Sequence, residues 1–199
     1  MKRTTFDIKN TENFSDKEKT KFFAAIAKAE DAINTVEFTR RVMAYKFDQT
    51  NGDDNYTILL KFMDGADKFN PEKDGDIDVY ITMYYSRRRV VGYTKPSTYW
   101  TWINRKFFSG FNHASIGGNV AHEYCHNLGF NHNSAKDHDS VPYAIGYIVR
   151  DMILEKETYG KYLTSSTVVN PSTDTATTEI IKPKTSFWTK VALFFKRLF

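Results

Sequence analysis

Between residues 122 and 132 the chain reads HEYCHNLGFNH, which places three of its five histidines, one glutamate and one glycine within eleven positions. On a helix, residues four apart share a face, so His122 and His126 turn their imidazoles towards a common point. The helix must then end abruptly for a third histidine to swing in. Gly129 tolerates the left-handed backbone of such a stop, and His132 returns from the loop beyond it. Glu123 sits one step around from His122, beside the point where the imidazoles converge rather than on it, where its carboxylate can accept a proton. The stretch therefore demands a helix, a sharp stop and a returning loop, packed together around one small volume.

Two neutral imidazoles on one helix face and a third from a loop suit zinc, which binds histidine nitrogen at roughly 2.0–2.1 Å. Three protein ligands leave one tetrahedral position open, the mark of a catalytic rather than a structural ion. A bare H-E-x-x-H pair arises by accident in many proteins. Five specified positions together match by chance in about one chain of this size in a hundred thousand, which favours a metal site over a helix that happens to contain histidines. Cys125 lies inside the stretch but off the ligand face and reads as a small buried residue. His113 and His138 read as surface residues or as partners of a ligand's far nitrogen.

The rest of the 199 residues supply a body around this site. A content of 41% hydrophobic and 26% charged residues is that of one ordinary globular domain, assigned here to residues 1–163. The single cysteine excludes an internal disulfide. After a polar start, Ser15 or Asp16 caps an amphipathic helix with Phe22, Phe23, Ile26, Ala29 and Ile33 at helical spacing. RRVMAYKF and NYTILLKFM read as strands, and DGADKFNPEKDGD as a solvated turn whose carboxylates lack the regular spacing of a calcium loop. IDVYITMYYS suits the middle of a sheet; RRRVVGYT and YWTWINRKFF have strong strand propensity, with the three arginines protecting an edge. A last helix, YAIGYIVRDMILEKETYG, buries Ile145, Ile148, Met152 and Ile153.

HEYCHNLGFNH is similar to the long zinc signature of the metzincin clan of metallopeptidases, H-E-x-x-H-x-x-G-x-x-H, at every specified position. The resemblance implies an α+β zincin fold: a twisted mixed sheet with an antiparallel edge strand over an active-site helix, followed by a C-terminal helix. It implies one catalytic Zn2+ on His122, His126 and His132, with Glu123 as general base and acid in hydrolysis of a peptide or protein substrate. RRRVVGYT fits the edge that pairs with extended substrate, which makes Gly92 and Tyr93 the expected cleft rim. Where the clan carries a methionine turn, this chain reads HDSVPYAIG, with Pro142 and no methionine. Tyr143 stands there at the position of a clan tyrosine that touches the metal or steadies the transition state.

The C-terminal part differs in composition. Residues 164–186 are rich in Ser, Thr and Pro and read as a flexible linker. Residues 187–199, SFWTKVALFFKRLF less its first serine, read as a basic amphipathic helix with Phe187, Trp188, Val191, Phe194, Phe195 and Leu198 on one side. At about 1.5 Å per residue it is too short to cross a bilayer, so it suits a membrane surface or a partner's groove. The formal charge of +4 resides in the last twenty residues, which hold five basic side chains and no acidic one, so nucleic acid is not an expected partner. No apolar run follows the basic N-terminus, so neither a signal peptide nor an anchor is expected, and the chain reads as a monomer made in the cytoplasm. Against an active endopeptidase stands the alternative of a zinc-stabilised, catalytically inactive membrane- or protein-binding module.

Overall fold

The computed structural model describes residues 3–65, 73–95, 98, 100–134 and 136–165. Their elements run β1 (Thr5–Glu12), α1 (Asp16–Ile33), α2 (Val36–Ala44), α3 (Asn55–Met63), β2 (Asp76–Tyr84), β3 (Gly92–Thr94), β4 (Trp100–Asn104), α4 (Arg105–Phe108), α5 (His113–Asn127) and α6 (Val141–Ser165). The four strands form one mixed sheet in the order β1-β2-β4-β3. β1, β2 and β4 are parallel, and β3 lies antiparallel on the edge. The fold is α+β, with the expected antiparallel edge.

β2 was legible because Ile77, Val79, Ile81 and Met83 alternate towards the core. β1 was not: its only fully inward apolar side chain is Phe6, and it is held by parallel pairing from Thr5↔Asp76 onwards. Of the segments read as strands, two are corrected: residues 40–44 are the end of helix α2, with 45–47 irregular beyond it, and residues 55–63 are helix α3. Thr35 caps α2 by accepting from the Phe38 amide, and Asp54 caps α3 by accepting from the Thr57 amide at 2.8 Å. Both are nine residues long and bury Phe38 and Val42, or Ile58, Leu59 and Phe62, at helical spacing. Such short elements carry too few turns for periodicity to overrule their aromatic and β-branched content. RRRVVGYT is extended only from Gly92, and YWTWINRKFF divides at Asn104 into β4 and α4.

Ser15 is the cap of α1, in a reciprocal capping box with Glu18. Phe22, Ile26, Ala29 and Ile33 are buried as expected, while Phe23 faces outwards at 47% exposure. Most of the core gathers around α5, which packs on α1 and α6. A Cβ on Gly118 would meet the Gly146 carbonyl oxygen at 2.6 Å, and one on Gly146 would meet the Gly118 oxygen at 2.8 Å. The two glycines thus let the backbones of α5 and α6 touch. Residues 161–165 lie in α6, which runs to Ser165, so the first two residues read as linker, 164 and 165, are helical instead. The linker beyond it, the tail at 187–199 and most of the loop weighed for calcium lie outside the described residues. Among the described residues no helix is long and apolar enough to cross a membrane.

Candidate metal centre

α5 is the helix that HEYCHNLGFNH demands, and its end is built as the glycine requires. Gly129 has φ +93°, its amide bonds to the His126 carbonyl at 3.0 Å, and the Phe130 amide reaches back to Cys125 at 3.0 Å. This paired closure is a Schellman turn. It carries the Phe130 carbonyl under His126, whose Nδ1 lies 2.8 Å from it. A carbonyl only accepts, so Nδ1 holds the proton and Nε2 is the nitrogen left for a metal.

The returning loop is braced from both ends. Asp137 Oδ2 accepts from the amides of Asn133 at 2.7 Å and Ser134 at 2.9 Å and from Gln49 Nε2 at 3.1 Å. Asn51 Nδ2 donates to the Gly129 carbonyl, and the Asp48 amide to Asp139. Gln49 and Asn51 both have positive φ, which turns this polar strap towards the loop. Within the brace, His132 meets the two helical histidines: ligand atoms of His122, His126 and His132 all lie within 4.8 Å of one another.

Three features of this cluster fit a divalent metal. Burial lowers the pKa of His122, His126 and His132, so all three rings are neutral at pH 7 and need not lose a proton to bind. Hydrogen bonds to the backbone at Phe130 and Pro142 orient His126 and His122. His132 Nδ1 is buried and has no hydrogen-bond partner among the described residues, a condition that metal ligation or a bridging donor would relieve. The group therefore can hold a metal ion.

Glu123 is only 3% exposed. Burial pushes its carboxyl up to about 7, against hydrogen bonds from Thr94 and Asn119 that favour the charged form. Oε2 has no partner among the described residues. Gly92 lies directly over this carboxylate: a Cβ there would meet Glu123 Oε1 at 3.3 Å and the Trp102 carbonyl at 3.0 Å. Tyr93 stacks on Trp102 with ring centroids 5.0 Å apart. Gly92 and Tyr93 thus both line the same cavity as Glu123 and the three histidines, a space of about 380 Å³.

Tyr143, from the first turn of α6, packs its ring 4.5 Å from that of His122 and 4.6 Å from that of His132. Its hydroxyl is pushed up to about 12, mainly by burial, and stays protonated at neutral pH. Met152, further along α6, belongs to the core cluster. His138 lies behind Tyr143, with Nδ1 3.0 Å from the Tyr147 hydroxyl, whereas His113 is at the far end of α5, 3.5 Å from Glu157. Cys125 is fully buried, and desolvation raises its pKa, so it remains a thiol.

The structure adds residues that the sequence reading passed over. Asn119 precedes Glu123 by one helical turn, a spacing that could have revealed it. Asn104 is fully buried and gives its amide to the carbonyls of Ser86 and Val90, both at 3.0 Å, fixing the loop that enters β3. Nothing local marks it. Compared with known protein families, with curated proteins and with solved structures, the chain gives no match.

Proposed function

We propose that this chain is a metzincin-like zinc metalloendopeptidase. One observation carries the reading: three imidazoles converge within 4.8 Å while the adjacent Glu123 and the edge strand β3 face the same cavity. A purely structural metal needs no carboxylate at its open side and no cleft in front of it. Three histidine ligands and an open position suit zinc. When bound, zinc supplies Lewis acidity towards a carbonyl and a water.

The chain's own groups do the rest. His122, His126 and His132 would hold the ion, with the first two rings fixed by their backbone partners. An extended substrate would pair with the outer edge of β3, since β4 occupies the inner one. Glu123, with its carboxyl near neutrality, accepts a proton from the attacking water and returns it to the departing amine. One peptide bond and one water become one carboxylate and one ammonium group, with Glu123 unchanged. Tyr143 shields the histidines, and its protonated hydroxyl is a hydrogen-bond donor suited to a developing oxyanion.

The test is cleavage of unstructured casein by the full chain. Cleavage that stops with a chelator and returns with about one equivalent of zinc is expected. Zinc binding without cleavage under any condition would instead support the non-catalytic module.

A further inference from the structure

The three arginines of RRRVVGYT, expected to protect an edge, stand before the strand rather than on it: β3 begins at Gly92, and residues 85–90 belong to the loop that leads into it. This loop is exposed yet fixed. The buried Asn104 side chain accepts from the Ser86 amide at 3.2 Å and donates to the carbonyls of Ser86 and Val90, and its own amide holds the Val91 carbonyl at 2.8 Å. The Arg88 amide donates to Ser86 Oγ at 3.1 Å, and Lys106 Nζ to the Arg87 carbonyl at 3.2 Å. Of the loop's own side chains these bonds use only that of Ser86. Arg87, Arg88 and Arg89 are exposed, and no hydrogen bond or ion pair engages their guanidinium groups among the described residues. Tyr85 is 66% exposed and Val90 43%. A fixed loop that offers Tyr, Val and three uncommitted arginines has the composition of a polypeptide-binding surface.

No nearby stretch of chain offsets the charge. Residues 79–122 hold six lysines and arginines and no aspartate or glutamate. Of the six, Arg105 is paired with Glu18 of α1, whereas Lys106 sits against the loop and adds a fourth cation. The loop is also continuous with the cleft, since Arg89 and Val90 line the cavity together with Gly92 and Glu123. Five residues of chain span at most about 18 Å, so all three arginines start within that distance of the point where Gly92 overlies Glu123. A peptide paired along β3 advances about 3.4 Å per residue and comes alongside them within about five residues.

We infer that residues 85–90 form a docking rim for acidic segments of a polypeptide substrate, meeting the half of the substrate that runs past Gly92. The inference rests on the peptidase reading and names its substrate class: proteins with aspartates and glutamates clustered within about five residues of the scissile bond, on one side of it.

Binding tests it without requiring turnover. The zinc-loaded Glu123→Ala protein, as the full chain, would be titrated with fluorescent peptides that share one neutral core and carry three Asp or three Asn residues on its N-terminal or its C-terminal side. The expected result is an advantage of about tenfold for Asp over Asn on one side only at low salt. It should largely vanish at about 1 M salt, where screening acts within about 3 Å. The triple variant Arg87→Gln, Arg88→Gln, Arg89→Gln should lose the advantage. Arg87→Glu with Arg88→Glu should transfer it to peptides carrying Lys at the same positions, a gain that misfolding cannot produce. An equal Asp advantage on both sides, equal or undetectable binding of Asp and Asn peptides, or an advantage that survives the glutamine variant would overturn the inference. Any of these results beside casein cleavage by the unmodified chain sinks this inference alone. A one-sided, arginine-dependent advantage in a chain that never cleaves sinks the peptidase reading alone.

Discussion

On one side of the cavity all three clustered histidines and the adjacent carboxylate belong to a single eleven-residue stretch, while the opposite side draws on β3, the loop before it and the first turns of α6. The first side needs only a helix, a Schellman turn and a braced loop. The second exists because a buried Asn104 fixes a loop and because Gly118 and Gly146 bring two helices into backbone contact. The convergence of the three histidines is thus a local property of this chain, and the cleft in front of them is a property of the tertiary fold. The two sides should fail separately.

The largest effect is expected from His126→Ala. It removes a ligand and the ring that fixes the Phe130 carbonyl, so zinc affinity should fall by more than the roughly 10–100-fold that loss of an outer partner costs. Competition with a chromogenic chelator measures it. Gly92→Ala attacks the other side, pressing a methyl between Trp102 and the Glu123 carboxylate. Zinc content should stay near that of the wild type while kcat falls roughly 10–100-fold, and a parallel loss of zinc would dissolve the distinction between the two sides.

That distinction also explains what the sequence could disclose. His122, Glu123, His126, Gly129 and His132 are spaced by helix geometry and turn chemistry, so their convergence follows from local rules. Ser15 and the buried stripe of α1 were legible for the same reason. β1, by contrast, is a strand only because β2 pairs with it, and α2 and α3 are helices set by the caps Thr35 and Asp54 rather than by long periodicity. Asn104 looks like an ordinary polar residue until its partners Ser86 and Val90, 18 and 14 residues away in the chain, are known.

A smaller effect sharpens the role of Glu123. Burial raises its carboxyl from an ordinary 4.5 to about 7, so the folded protein holds a proton that the unfolded chain releases. The destabilisation is absent below the unfolded value, grows as pH rises through the interval between the two, and is complete above about 7. In chelator-stripped protein, Glu123→Gln should therefore raise stability by up to about 3 kcal/mol at pH 8 and leave it nearly unchanged at pH 4. Denaturant midpoints at the two pH values decide it; an equal gain at both would place the effect elsewhere than the carboxyl.

The smallest effect belongs to the turn. Gly129 has open space where a Cβ would go, so Gly129→Ala costs only the strain of a positive φ, about 1–2 kcal/mol. Thermal unfolding with and without zinc should show that loss, together with weaker zinc binding as His132 is displaced.

The central claim is that Glu123 acts on substrate at a site whose metal it does not hold. The most direct measurement is zinc content and casein cleavage in parallel for the wild type and Glu123→Ala. The account predicts about one zinc in both proteins and a loss of cleavage of at least a hundredfold in the variant alone. Cleavage retained by Glu123→Ala, with zinc bound, would contradict it.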